Sequence, residues 1–340
     1  MVSRPLVITT AFSYGPNELW PLIHSLQQYA PTAEVLVLTA AEDLDRLAPL
    51  MENFASVTLE SVGLPPRVIR GRLAIPRKVG SRTKRWLRQR QQQCIPKPSI
   101  AIEQPRRLGL STAHAHFLIR RFFWAQAKLR QPRWINYDAV MLCDSRDVVV
   151  QGNPFEFLGD NLVTGEEFNL FDNCRMNRRW VRQTYGRELE KTLFGRPSLC
   201  AGVVAGSRRQ MQLYLDLFCE DTLNVMRSHG TSCLANLDQA IHNKILRKPS
   251  DLQLAISMVN GMIATMGCIP AERCKLPDGP GPVEVMGTLP KVIHQYDRHP
   301  LLSLHVKARH GRGSDGCEIN SSELDGGELD GGESESREPA

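Results

Sequence analysis

Long apolar runs are missing from this chain of 340 residues: none reaches the roughly 18 that a membrane-spanning helix requires, so no such helix is expected. Closely spaced cysteine pairs are missing too. The nine cysteines, Cys94, Cys143, Cys174, Cys200, Cys219, Cys233, Cys268, Cys274 and Cys317, are scattered and odd in number. That pattern argues against a disulfide framework or a zinc cluster and predicts a reducing, cytoplasmic setting. No small-residue cleavage site follows the first twenty residues, which predict a β-strand rather than a signal peptide. Neither disorder nor a membrane fold suits the bulk of the chain, because 42% hydrophobic and 23% charged residues are near globular averages.

Acids are nearly absent from one long stretch. Between Arg67 and Arg107 thirteen Lys or Arg meet the single acid Glu103, a local charge of +12. From Asp315 onward nine acids meet only Arg337, a local charge of −8. The first stretch is either a solvated insertion or a surface for an anionic partner: a membrane surface, a nucleic acid or a phosphorylated acceptor. The second, with its tandem ELDGGELDGG, reads as a disordered acidic Gly/Ser-rich tail over residues 311–340.

The remainder alternates. Leu6 to Thr10 reads as a buried strand, and Gly15-Pro16-Asn17 opens a helix to about Tyr29 with Leu19, Leu22, Ile23 and Leu26 at helical spacing. A strand at Val35 to Thr39, an amphipathic segment at Leu44 to Phe54 and a strand at Val57 to Val62 continue the rhythm of an open, mostly parallel sheet. A Pro-containing basic insertion at about 63–108, with a short helix at Lys84 to Gln93, interrupts it. Beyond it the pattern predicts a helix at Ser111 to Leu129 and a strand at Ala139 to Cys143. A strand at Asn161 to Thr164 and a helix around Asn177 to Tyr185 follow, then a strand at Cys200 to Ala205, a helix from Ser207 to about Arg227 and a last one from Leu237 to Arg247. The fold class is α/β, with one domain over residues 1–310.

The informative break is MLCDSRDVVV, Met141 to Val150, where an apolar strand ends in Asp144, Arg146 and Asp147. Ligands of open α/β sheets bind beyond the carboxyl ends of strands. Two carboxylates this close repel each other unless a cation relieves them, and a divalent ion that also takes phosphate oxygens does so. The alternative is a surface cluster in which Arg146 offsets both acids.

Three later segments sit in a suggestive order: Cys200-Ala201-Gly202-Val203, Asp238-Gln239 at a helix start, and His294 just after a short strand in KVIHQYDRHP. With the Asp-rich strand end they resemble the nucleotide-sugar glycosyltransferases of the GT-A fold, glycosyltransferase family 8 in particular, over roughly Leu6 to Pro300. In that family an Asp-x-Asp metal motif, an Asn-Ala-Gly-Val segment, an Asp-Gln pair and a metal-binding His follow one another. Here the first motif has an extra residue and Cys200 replaces the Asn. The resemblance implies a GT-A, Rossmann-like single domain and a metal-dependent, hexosyl-type, retaining transfer of sugar from a nucleoside diphosphate to an acceptor hydroxyl. It implies Asp147 and His294 as metal ligands, and Asp144 as a third ligand or a ribose contact. Mn²⁺ is favoured by one imidazole among oxygens, with Mg²⁺ the alternative. Asp238 would bind sugar hydroxyls and Gln239 would lie near the anomeric carbon. Thr10, Ala11, Tyr14, Arg121, Arg146, Gly202 and Arg298 would surround the donor, with Tyr14 stacking on the base.

Each of these residues has a plainer reading. Tyr14 can be a packed core aromatic, Asp238 a helix N-terminal acid, His294 a satisfied core histidine, and Arg120 or Arg121 a solvated base. Two other functions compete: a nucleic-acid or anionic-surface binder using residues 67–107 without a recognised nucleic-acid motif, and a non-catalytic GT-A-like scaffold. The partners implied by the enzyme reading are a nucleoside-diphosphate sugar and a glycan, lipid-linked or protein acceptor, with peripheral contact to an anionic membrane surface as a use for the basic segment.

Overall fold

The computed structural model describes residues 4–63, 117–156, 158–229, 237–247, 254–257, 261–279 and 281–313. The basic insertion, its short helix, the start of the Ser111 helix and nearly all of the acidic tail lie outside them.

Five of the expected strands and five of the expected helices fall where apolar periodicity put them. The chain opens with β1 (Pro5–Ala11), α1 (Pro16–Tyr29), β2 (Glu34–Thr39), α2 (Leu44–Asn53) and β3 (Val57–Ser61). The first helix starts at Pro16, whose missing N–H costs nothing at that position, and Glu18 accepts the Gly15 N–H at 3.0 Å. After the insertion come α3 (Phe117–Leu129), β4 (Ala139–Cys143), β5 (Val148–Val150), β6 (Leu162–Leu170), α4 (Arg175–Thr192), β7 (Pro197–Ser207), α5 (Arg208–His229) and α6 (Asp238–Arg247). The chain then adds β8 (Leu254–Ser257), β9 (Ile263–Thr265), β10 (Cys274–Lys275), β11 (Glu284–Val285), β12 (Val292–His294) and α7 (Pro300–His310).

Two elements outrun their expected length for a physical reason. Strand β6 continues past Thr164 through Glu166 and Glu167, acids that break the apolar pattern; Glu166 is admitted because Arg247 lies 3.5 Å away. Helix α4 runs on to Thr192 across a kink at Gly186, whose φ of +85° is one that glycine adopts without strain.

Among the described residues the main sheet has the order β3-β2-β1-β4-β7-β6-β9-β12-β5, with β8 also on β6. Pairings are parallel from β3 to β4 and again from β6 through β9 to β12, while β7 is antiparallel to both β4 and β6. The sheet is thus mixed and mostly parallel. Apolar side chains alternate onto its two faces. Leu6, Ile8, Val140 and Leu142 pack with Phe122 of α3 and Tyr214 and Phe218 of α5, the two phenyl rings stacking at 3.7 Å between centroids. Val7, Val37, Met141 and Cys143 face Leu19, Leu22 and Leu26 of α1 and Leu47 and Leu50 of α2. A smaller core gathers Val149, Ala264 and Ile293 with Leu302 and Val306 of α7.

The chain leaves β1 for β2 and β3 on one side and returns to β4 on the other. That reversal opens a crevice at the carboxyl ends of β1 and β4, the place where open α/β sheets take ligands. No helix among the described residues is long and apolar enough to cross a membrane.

Candidate metal centre

Strand β4 ends at Cys143, and Asp144-Ser145-Arg146-Asp147 turns the chain into β5. Strand β5 pairs antiparallel with β12, setting His294 opposite Val148 and hence next to Asp147. The Gln295 N–H donates to the Asp147 carbonyl at 2.7 Å and locks that corner. Two distant segments are brought together in this way by backbone register.

Asp144, Asp147 and His294 converge, each offering a ligand atom within 4.8 Å of the others. The imidazole is 1% exposed, and its Nε2 lies 3.3 Å from Asp144 Oδ2 and 3.9 Å from Asp147 Oδ2. Yet Nε2 makes no hydrogen bond to either of them. A buried nitrogen that faces two carboxylate oxygens without bonding to either is the arrangement of ligands around a shared ion. Metal–oxygen bonds of about 2.1 Å separate neighbouring ligands by about 3 Å and opposite ones by about 4 Å. The triad therefore fits a divalent cation with little movement.

The surroundings favour that role. Burial opposes charge on His294, but Cys200 and the carboxylates of Asp144 and Asp147 outweigh it and hold the imidazole well above its ordinary value. Burial likewise raises Asp147, with His294 only partly offsetting it. For Asp144 the balance falls the other way: burial is overcome by the Arg121 guanidinium and by His294, which hold the carboxyl down to about 2. The excess of negative charge and the crowding of Asp147 are what a bound cation relieves.

Gly202 of β7 sits flush against the triad. A Cβ there would lie 2.2 Å from His294 Cε1, 2.4 Å from Nε2 and 2.9 Å from Asp144 Oδ2, so only glycine fits. Two residues earlier on the same strand, Cys200 Sγ is 3.5 Å from His294 Nδ1. With Nδ1–H directed at sulfur, Nε2 is the nitrogen left facing the carboxylates, and it would give up its proton to ligate a cation.

Arg121 of α3 is 3% exposed and bridges the two acids of the site. Its Nη1 pairs with Asp144, while Nη2 donates to Asp238 Oδ2 at 3.3 Å and to the Ala201 carbonyl at 3.0 Å. The base that neutralises Asp144 is thus Arg121. Arg146 makes its ion pair with Asp297 Oδ2 at 3.1 Å and acts on Asp147 through its charge alone. Arg120 donates to the Gly63 carbonyl at 2.7 Å and lies over the Trp124 ring.

Asp238 and Gln239 open α6 beside the cleft. The Gln239 Oε1 accepts the Ala201 N–H at 3.0 Å, and its Nε2 donates to Glu167 Oε1 at 2.8 Å. Thr10 and Tyr14 are partly exposed near the carboxyl end of β1, Ala11 is buried, and Tyr14 packs on the α1-side core. Arg298 is exposed, its Nε 3.6 Å from Asp297 Oδ1, so Arg146 and Arg298 flank Asp297 beside the triad. Sequence reasoning passed over Asp297, the structural part of Cys200, and Glu167. Two adjacent acids inside an otherwise apolar strand, Glu166-Glu167, were the signal for the last.

The chain matches no model of a known protein family and no curated protein. Among solved structures it is similar to the WbbM bifunctional glycosyltransferase in its apo form, at 16% sequence identity and a TM-score of 0.45. That similarity spans 86% of this chain and 46% of the other, so the chain matches less than half of that protein's length.

Proposed function

We propose that the chain is a metal-dependent glycosyltransferase of GT-A type that moves a sugar from a nucleoside diphosphate to an acceptor hydroxyl. The observation that carries this reading is the Asp144, Asp147 and His294 triad, with Asp147 and His294 buried, at the carboxyl end of β4 beside the switch point of the sheet. The three residues would hold Mn²⁺ or Mg²⁺. When bound, such an ion supplies Lewis-acid stabilisation of charge on a leaving diphosphate.

The chain's own residues do the rest. Arg146 and Arg298, exposed beside the triad, offer guanidinium forks to phosphate oxygens. Arg121 fixes Asp144 and Asp238 in place, so Asp238 presents its remaining lone pairs to sugar hydroxyls. Thr10, Ala11 and Tyr14 border the nucleoside side of the crevice, and Gly202 leaves room for the donor's diphosphate. Gln239 holds the end of α6 against β7 next to the reacting sugar. The resemblance to family 8 supports a hexosyl-type, retaining transfer.

The experiment is a thermal-shift panel of nucleoside diphosphates and their sugars with Mn²⁺, Mg²⁺ or chelator. A donor should raise the melting temperature only when metal is present, since a ligand that binds the native state stabilises it by mass action. Equal stabilisation in excess chelator would refute the metal assignment. In turnover, Asp147→Asn should lose most activity and its metal requirement should weaken; a folded variant with both unchanged would return the motif to a salt-bridge cluster.

A further inference from the structure

We propose that Glu167 is the catalytic nucleophile of the transfer, a carboxylate that attacks the anomeric carbon of the donor. This rests on the glycosyltransferase reading above. The first support is position. Glu167 of β6 is in register with Thr265 of β9, and Thr265 is in register with His294 of β12. Residues in register across neighbouring strands leave a sheet on the same face, so carboxylate, hydroxyl and imidazole form one row. Two strand spacings, about 10 Å, separate the backbones of Glu167 and His294. Between them on that face stand the short Thr265 and, 3.5 Å from His294 Nδ1, the Cys200 sulfur, so no charged side chain separates the carboxylate from the imidazole.

The second support is how Glu167 is held. Each oxygen receives one amide N–H: Oε1 from Gln239 at 2.8 Å and Oε2 from Asn177 at 2.8 Å. Asn177 is itself fixed by Ser198 at 2.8 Å, and Gln239 by the Ala201 N–H at 3.0 Å. The carboxylate is oriented on both sides yet keeps free lone pairs on both oxygens. Its neighbours are differently committed. Asp144 and Asp238 pair with Arg121, Asp147 faces His294, and Glu166 pairs with Arg247. Glu167 has no salt bridge among the described residues and is partly exposed, whereas the Gln239 carbonyl is taken by the backbone. Burial raises the Glu167 carboxyl above its ordinary range, which makes its anion the more basic and nucleophilic.

The step balances as a double displacement. A Glu167 oxygen forms a bond to the anomeric carbon as the bond from that carbon to the diphosphate oxygen breaks, and the electron pair leaves on the diphosphate. The acceptor hydroxyl then attacks the same carbon as the bond to Glu167 breaks, returning the pair to the carboxylate. The hydroxyl proton passes to the departing diphosphate. Two inversions give net retention.

The test uses the full chain with a donor found in the thermal-shift panel. Glu167→Gln should bind that donor with a dissociation constant within about threefold of wild type and lose turnover by about a thousandfold, since removal of a nucleophile abolishes the path. Glu167→Ala with azide should form a glycosyl azide of anomeric configuration opposite to the donor, read by NMR. Wild-type product should retain the donor's configuration. Turnover of Glu167→Gln within tenfold of wild type, an inverted wild-type product, or loss of turnover in both variants without glycosyl azide would each overturn the assignment while leaving metal-dependent donor binding intact. Wild type that binds no donor in the panel would overturn the glycosyltransferase reading and this assignment with it.

Discussion

Asp144 and Asp238 share a single guanidinium. Arg121 reaches Asp144 through Nη1 and Asp238 through Nη2 at 3.3 Å, and so ties the end of β4 to the start of α6. The side chain of Arg121 is 4% exposed, so this charge is out of water and depends on its two partners. Removing it leaves two part-buried carboxylates without this guanidinium, and breaking a buried pair typically costs about 3–5 kcal/mol. Arg121→Met should therefore lower stability in urea by about that much, and Arg121→Lys by less, since one ammonium cannot fork to two acids. A loss under about 1 kcal/mol for Arg121→Met would show that the bridge does not hold the site together.

Gly202 gives a sharper test of the metal centre, because it adds a single methyl group. In Gly202→Ala that carbon would overlap the His294 ring at 2.2 Å, and the ring's Nδ1 is already in contact with Cys200 at 3.5 Å. The imidazole must turn or the strand must shift. Mn²⁺ affinity, measured by electron paramagnetic resonance, should fall at least about tenfold while circular dichroism still reports a folded α/β protein. Unchanged affinity would remove His294 from the ligand set.

Cys200 should act through His294 and not on the ion. Outer partners of a metal-binding histidine typically contribute about 10–100-fold to affinity. Cys200→Ala, which leaves Nδ1 without its partner, should weaken Mn²⁺ binding within that range, and Cys200→Ser should recover part of it. Equal affinity for all three proteins would mean that the 3.5 Å contact is packing only.

Much of this arrangement was legible before any coordinates. The βαβ rhythm from Leu6 to Val62 and the strand Ala139 to Cys143 follow from apolar periodicity, whereas Asp144, Asp147 and His294 could be grouped only through the resemblance of their order to a known motif series. Three short strands, β5, β9 and β12, carry too few residues for periodicity to fix their pairing, yet their register delivers His294 and Glu167. The role of Arg121 was also hidden, since a helical arginine reads alike whether it meets solvent or two acids across the fold. Gly202 stood out in the motif, but the clearance it gives the His294 ring shows only in the structure.

The last prediction concerns His242, one turn along α6 from Asp238. It is fully buried, with Nδ1 2.8 Å from the Tyr214 hydroxyl and Nε2 3.1 Å from Thr164 Oγ1. Thr164 donates its own proton to the Cys200 carbonyl at 3.1 Å, so it accepts from Nε2–H, and Tyr214 donates to Nδ1. The ring is neutral and satisfied in that tautomer. Burial first, then the charges of Arg121 and Arg247, push its pKa down to about 3. An unfolded histidine titrates near 6.5, so between pH 6.5 and 3 the unfolded chain binds a proton that the native state refuses. Stability from this group is complete above pH 6.5 and falls as pH drops, by about 3 kcal/mol on reaching pH 4. His242→Asn should be less stable than wild type at pH 7 through lost packing, but the gap between the two proteins in urea should narrow steadily from pH 6.5 to 4. A gap that stays constant over that range would mean that His242 takes up its proton in the folded protein.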